Sequence, residues 1–419
     1  MDYFETIMQK LHNKESVFLT GGAGVGKTTI TKKVIEHFEQ DAKKVAKLAS
    51  TGMASTLIGG QTLHSFFEFG IAQNREELVR AGKGEPSKKL KKLMTSLALI
   101  VIDEISMVSD TLFEMVAMRL EQCAFGGALL VVGDFLQLPP VVRGGEVRFA
   151  FESEAWRACM FERIELTHIY RTTDAHFIEL LHKVRFGEVD EEVHNALNAF
   201  IKPLPHDFND VTFLFGLNQS AQRHNKEQLA KLDGELYAKE AQIIKHKKTL
   251  SDAEVERFMN DARIERLLEL KVGAPVLFSK NSWNYFNGER GEIVAIDVSY
   301  VYVKKSDAKV IKLEQVAQSK MAWTERIHEG KKELVEEAVM TLYQYPIKLA
   351  YAITIHKSQG MSILDLVIAT NEIFAPSQFY VALSRAMQPA RLTLLAPRGQ
   401  WYEKIFVHPK ALEFVIRRF

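Results

Sequence analysis

Apolar, often β-branched runs recur along the chain, each followed by a turn and then by a stretch with apolar residues at helical spacing. Residues 16–20 precede a glycine-rich loop and the helical pattern of 28–40, and further runs follow at 45–49, 97–102 and 129–132. Short apolar runs bounded by turns and alternating with amphipathic helices predict a parallel sheet covered by helices on both faces. A second set begins near Leu166 and takes in residues 211–215, 350–354, 366–370 and 391–396. The pattern therefore predicts an α/β fold of two domains, residues 1–165 and 166–419, joined around 161–167.

Two stretches interrupt it. An insertion in the first domain, at about residues 70–95, is polar over 73–92, with Lys83, Lys88, Lys89, Lys91 and Lys92 around Gly82, Gly84 and Pro86. A solvated surface loop and a contact with phosphates both fit that composition. An insertion in the second domain, at about 245–345, alternates short strands and turns at 274–279, 291–297, 299–304 and 310–313. With Asn287-Gly288 supplying turn chemistry, this predicts a small β-barrel-like, SH3-like module. Residues 251–270, rich in Glu and Arg at helical spacing, are expected to form a helix leading into it. Residues 108–122 read as a helix, and a plain amphipathic helix and one that packs against a strand-binding face fit them about equally.

Composition narrows the class. A chain of 419 residues is too long for one core. Its 47% hydrophobic and 26% charged content is that of an ordinary globular protein. No apolar run approaches the roughly 18 residues needed to cross a bilayer, and the first residues lack the pattern of a signal peptide. Two cysteines, Cys123 and Cys159, exclude a disulfide framework and a cysteine-based zinc site. A reducing, cytoplasmic compartment is expected, with no membrane partner.

Gly21-Gly22-Ala23-Gly24-Val25-Gly26-Lys27-Thr28 fits the phosphate-binding P-loop, with a strand before it and a helix after. Gly22, Gly24 and Gly26 let backbone N–H groups curl around a phosphate, and the helix N-terminus adds its dipole. Lys27 is expected to reach the β and γ phosphates, Thr28 to ligate Mg²⁺, and Thr29 to lie beside the same phosphates. The apolar run at 99–102 ends in Asp103-Glu104. Asp103 is a candidate Mg²⁺ ligand, and Glu104 the candidate general base that activates water. A kinase needs no such base. No Asn-Lys-x-Asp pattern for guanine occurs, which favours ATP.

Further motifs follow in order. They are Ala49–Ser55; Gly59-Gly60-Gln61-Thr62-Leu63-His64-Ser65-Phe66-Phe67; Gly133-Asp134-Phe135-Leu136-Gln137-Leu138-Pro139-Pro140; Leu166-Thr167-His168-Ile169-Tyr170-Arg171; Thr354-Ile355-His356-Lys357-Ser358-Gln359-Gly360; and Phe379-Tyr380-Val381-Ala382-Leu383-Ser384-Arg385-Ala386. Together they resemble the superfamily 1B helicases, most closely the petite-integration-frequency (PIF) family and its RecD and phage Dda relatives, over about residues 16–396. The resemblance implies two RecA-like domains that close on ATP and an ATP-dependent DNA helicase moving 5′→3′ on single-stranded DNA. It also implies unwinding of duplex or forks in replication, repair or telomere-type maintenance, nucleoid-associated if bacterial, while the small size and near-neutral charge favour a self-contained, monomeric motor.

By the same resemblance, Arg171 and Arg385 are arginine fingers, Gln137 a γ-phosphate sensor, and Gly360 part of the nucleotide site. Thr51, Thr62, His64, Ser65, Phe66 and Pro139 of the first domain, with Thr354, His356 and Lys357 of the second, match strand-contacting positions. The insertion at 70–95 would be the wedge that splits the duplex. Phe66 or Phe67 could instead be core, His356 structural, and Asn218 either a strand contact or a helix cap. A net charge of +1 argues against coating a duplex and for a local groove with few phosphate contacts. Two positions depart from the family. Phe4 stands where a glutamine usually reads adenine, with Gln9 nearer the P-loop, and Thr172 stands where a glutamine follows Tyr170-Arg171. The alternative function is a RecD-like ATPase subunit of a larger nuclease or remodelling complex.

Overall fold

The computed structural model describes residues 3–51, 55, 58–141, 145–204, 211–247, 250–262, 264–328, 331–396 and 401–417. Part of the motif at 49–55, residues 52–54, lies outside these. After helix α1 (Tyr3–His12), the strands β1 (Val17–Thr20), β2 (Lys44–Ala49), β3 (Gln61–Thr62), β4 (Leu97–Asp103), β5 (Ala128–Val132) and β6 (Glu162–Glu165) form one parallel sheet in the order β3-β2-β4-β5-β1-β6. Leu99 to Ile102 and Leu130 to Val132 are fully buried because both faces are covered, which is why they read as unbroken apolar runs. Successive residues of β1 point to opposite faces. Phe18 packs with Phe135 and Trp156 on one face, while Val17 and Leu19 pack with Val34 of α2 (Lys27–Gln40) on the other.

This topology sets the site. The P-loop leaves the C-terminal end of β1, Asp103 closes β4, and Gly133-Asp134 follows β5, so three adjacent strands deliver their loops to one edge of the sheet.

The insertion at 73–92 is not only solvated loop. Its lysines at 83, 88, 91 and 92 are exposed, as expected. The segment nevertheless folds into two short helices, α3 (Arg75–Arg80) and α4 (Lys88–Met94), capped by the side chains of Asn74 and Ser87. Leu78, Leu90, Leu93 and Met94 enter the core. The pin is Arg119 on α5 (Asp110–Gln122), wholly buried. Its guanidinium donates to the Phe67 carbonyl at 3.1 Å, the Lys83 carbonyl at 2.5 Å, the Gly84 carbonyl at 2.8 Å and Gln122 Oε1 at 2.6 Å. The plain amphipathic reading of this helix missed that role.

The chain then enters helix α6 (Ala175–Phe186), strand β7 (Thr212–Phe215) and helix α7 (Asn218–Lys231). Antiparallel strands follow: β8 (Tyr237–Glu240), β9 (Gln242–Lys245), β10 (Leu267–Leu270), β11 (Pro275–Phe278), β12 (Arg290–Ile296), β13 (Val301–Lys305), β14 (Val310–Leu313), β15 (Val316–His328), β16 (Lys331–Gln344) and β17 (Ile347–Leu349). Five of them form a sheet in the order β14-β13-β12-β11-β17 around Val276, Phe278, Ile293, Val301 and Val303. The helix expected over 251–270 stops early, as α8 (Asp252–Ala262). Residues 267–270 pair with β8 instead, because Leu268 and Leu270 alternate into the core.

The long hairpin β15–β16, not anticipated, reaches the first half. Leu334 is buried in the core of the first sheet, and Lys44 Nζ donates to the Leu334 carbonyl at 3.0 Å. The chain closes with β18 (Ala352–Thr354), β19 (Leu366–Ala369), helix α9 (Gln378–Leu383) and β20 (Leu392–Leu395). With β7 these strands make a second parallel sheet, ordered β18-β7-β19-β20. The α/β class with two parallel RecA-like sheets is as expected. Among the described residues no helix is long and apolar enough to cross a membrane.

Candidate nucleotide and nucleic-acid sites

Gly24 and Gly26 adopt φ of +79° and +90°, in the left-handed region that a side chain strains against. No side chain caps α2, so its first N–H groups point toward the loop. Lys27 Nζ donates to the carbonyls of Gly21 at 2.7 Å and Gly22 at 2.8 Å, curled onto its own loop where a phosphate would draw it out. Burial lowers its pKa, against the opposing pull of Asp134 and Glu104.

Asp103 is 8% exposed and accepts the Glu104 N–H at 2.8 Å, and burial raises its pKa. A buried carboxylate that feels the charge of Lys27 on the P-loop helix suits a divalent ion that also takes phosphate oxygens. Glu104 holds a left-handed backbone at φ +53°, a strain uncommon outside glycine. Burial first, and Asp103 second, push its carboxyl up to about 7, where a base works best at neutral pH. Gln137 is buried with its amide 3.5 Å from Asp134 Oδ2.

The two expected fingers lie together, both anchored on the second half. Arg171 donates to Ser362 Oγ at 3.1 Å and to the Ser384 carbonyl at 2.7 Å. Arg385 donates to the Val381 carbonyl at 2.9 Å, the Ser358 carbonyl at 3.2 Å and Ser384 Oγ at 2.8 Å. Burial lowers the pKa of both, that of Arg171 to about 10. Arg171 nonetheless rests on the P-loop, since a Cβ at Gly24 would lie 2.8 Å from its own Cβ, and the Tyr170 N–H donates to the Gly24 carbonyl. Gly360 turns at φ +76° after the motif that starts at Thr354.

Sequence reasoning missed two neighbours of this loop. The Tyr380 hydroxyl, from α9, accepts the Ala23 N–H at 2.8 Å. Arg185, from α6, forms a bidentate ion pair with Asp134 at 3.0 and 2.9 Å. Tyr380 sits inside a quoted motif. Arg185 had one signal, a charge on the apolar stripe of Phe177, Leu181 and Val184.

The expected strand-contacting residues divide. Thr51, Thr62, His64 and Ser65 line a groove of about 1510 Å³ that Met107, Ser109, Arg148, Arg257, Phe258 and Lys320 also border. Thr62 Oγ1 accepts the Ser65 N–H at 3.3 Å, and the His64 Nε2 has no hydrogen-bond partner among the described residues. Phe66 is 5% exposed and edge-on to Phe67 inside the core, the arrangement its core reading expects. Pro139 is buried as well. Thr354 is buried, its hydroxyl accepting the Lys357 N–H at 3.3 Å, and His356 and Lys357 are half-buried beyond the groove lining. Asn218 is exposed and opens α7, whose cap position is Leu217, so it is no helix cap. Thr172 is buried and accepts the Asp174 N–H. Phe4 packs edge-on against His37.

A P-loop and its acid pair on one RecA-like sheet, with Arg385 of the second half and Arg171 bound to that half beside them, define a P-loop motor ATPase of helicase type. A family model described as PIF1-like helicase matches residues 2–195. The ATP-dependent DNA helicase Pif1 of Campylobacter jejuni is 37% identical over 93% of this chain and 91% of its own length. The chain belongs to the PIF1-like helicase family. Unliganded Pif1 from Bacteroides sp superposes with a TM-score of 0.84 at 27% identity, covering 99% of this chain and 96% of that one. The Bacteroides Pif1 bound to ssDNA covers the same shares at 26% identity with a TM-score of 0.63. The present arrangement is thus nearer the DNA-free structures, among them the Bacteroides sp Pif1 in complex with ADP-AlF4 at a TM-score of 0.83, than the ssDNA-bound one.

Proposed function

We propose that this chain is an ATP-dependent DNA helicase that moves 5′→3′ on single-stranded DNA and separates duplex or forked DNA ahead of it. The observation that carries the reading is the convergence of Lys27, Asp103 and Glu104 on one sheet edge, with Arg171 packed on the same P-loop and tied to Arg385 through Ser384. Gly22, Gly24, Gly26, Thr28 and Thr29 cradle the triphosphate, and Lys27 neutralises it. Glu104 takes the proton of the attacking water, Gln137 orients the γ-phosphate, and Arg171 and Arg385 stabilise charge in the transition state. Thr28 and Asp103 would hold Mg²⁺, which neutralises phosphate charge when bound.

Thr51, Thr62, His64 and Ser65 grip the strand in the first half, with Thr354, His356 and Lys357 in the second. Residues 1–165 and 166–419 act as the two motor halves. Both halves of the nucleotide site come from one chain, so a monomer suffices for hydrolysis, and we place that monomer in the cytoplasm. Without an adenine-reading glutamine, base selectivity is relaxed. A RecD-like subunit is the weaker reading, because a relative matched over 91% of its length is itself named a helicase.

The test is ATP hydrolysis with and without oligo-dT, for the wild type and Lys27→Ala. Stimulation in the wild type and its abolition in a folded Lys27→Ala support the reading. Near-wild-type hydrolysis in the variant would sink the P-loop assignment.

A further inference from the structure

Arg185 and Asp134 form a buried ion pair that the two fingers do not explain. Arg185 is 6% exposed and Asp134 1%. The pair joins α6 to the loop after β5, across the boundary between the two sheets, and it is bidentate: Nε to Oδ2 at 3.0 Å and Nη2 to Oδ1 at 2.9 Å. Each carboxylate oxygen also serves the turn that carries Gln137. Oδ1 accepts the Leu136 N–H at 3.1 Å, and Oδ2 lies 3.5 Å from Gln137 Nε2. Burial alone would raise the Asp134 carboxyl, but Arg185 and then Lys27 hold it below the usual range.

The other side of Arg185 faces the nucleotide loop. A Cβ at Gly22 would meet Arg185 Cδ at 3.7 Å and Nε at 3.8 Å, and Tyr380 Oη at 3.1 Å. Helix α6 shares one apolar core with α9, through Phe177, Leu181 and Val184 against Phe379 and Leu383. Helix α9 leads directly into Ser384 and Arg385. A displacement of the finger segment would therefore carry Arg185 with it, and Arg185 would pull on the carboxylate that holds the Gln137 turn. Buried ion pairs are weak contributors to stability, because desolvation offsets their attraction, and registering one element on another is their best-attested use.

We propose that Arg185 is a positioning residue for hydrolysis, through which the second RecA-like half sets Gln137 by way of Asp134. The inference rests on the ATPase reading above and deepens it. Arg185→Lys keeps the charge and loses the two-pronged geometry. Arg185→Gln with Asp134→Asn replaces the ion pair by an uncharged hydrogen-bonding pair, which spares the fold an unpaired buried charge. Both are assayed for ATP hydrolysis in saturating oligo-dT, with KM and kcat separated and melting followed alongside.

The expected result is KM for ATP within about threefold of wild type and kcat lower by roughly 30-fold or more in both variants, with melting retained. Recovery of wild-type kcat in the uncharged pair would overturn the proposal and leave the contact merely structural. So would Arg185→Lys with kcat within threefold of wild type, or losses in both variants no larger than the unfolded fraction explains. A wild type without oligo-dT-stimulated hydrolysis would instead overturn the ATPase reading itself, and this inference with it.

Discussion

Replacing Arg119 by methionine isolates the pin that holds the first insertion. The side chain is wholly buried, and among the described residues no carboxylate lies within ion-pair distance of it. Its donors go instead to the Phe67, Lys83 and Gly84 carbonyls and to Gln122. In Arg119→Met the Gly84 carbonyl keeps the Gln122 amide at 3.1 Å. The Phe67 and Lys83 carbonyls lose their side-chain donor, at about 1–3 kcal/mol for each buried acceptor left unsatisfied. Relief of the buried charge offsets part of this, and methionine fills most of the apolar stem volume. The net local cost is about 2–4 kcal/mol, a factor of roughly 30 to 1,000 in opening. Amide hydrogen exchange reads it directly, as faster exchange confined to α3 and α4. If the insertion is the wedge, duplex separation falls while oligo-dT-stimulated hydrolysis persists. Unchanged exchange in those helices would refute the pin. Exchange accelerated throughout the first sheet, with hydrolysis and unwinding lost together, would refute the separation of wedge from motor.

Two further outcomes follow from the nucleotide site. Glu104→Gln keeps the shape of the site without its basicity, so ATP still binds while turnover falls by roughly 10²–10⁴-fold. Because the wild-type carboxyl sits at about 7 and must be ionised to act, kcat/KM gains as pH rises from 6 to 8, and the Gln variant is flat over that span; a flat wild-type profile would move the base elsewhere. Arg385→Ala lowers kcat by about 10³-fold or more with a smaller change in ATP affinity, and a change in affinity alone in steady-state kinetics would mark a ground-state contact.

The sheet strands and the P-loop were legible because each needs a local signal. Buried parallel strands such as Leu99–Ile102 show as unbroken apolar runs, and the left-handed turns at Gly24 and Gly26 demand glycine. What stayed hidden depends on long-range pairing. The hairpin β15–β16 carries Lys, Glu and Arg through much of its length, and its apolar Trp323 and Leu334 acquire meaning only against the first sheet. Phe66 and Phe67 were ambiguous for the same reason, since neither sequence nor spacing says which aromatic of a pair turns inward. Both do. Arg119 and Arg185 did leave a trace, each standing on the apolar stripe of its helix beside Val116 and Val184. A charge on such a stripe is a call for buried partners, and those partners, Phe67 and Asp134, lie 52 and 51 residues away in the chain.

Unwinding of duplexes that carry a single-stranded tail on one side only tests the central claim most directly. With ATP and Mg²⁺, the chain should separate a duplex with a 5′ tail and leave its 3′-tailed counterpart and a blunt duplex intact, and Lys27→Ala should separate none of them. Equal or preferential opening of the 3′-tailed substrate, or vigorous hydrolysis without strand separation on either tail, would contradict it.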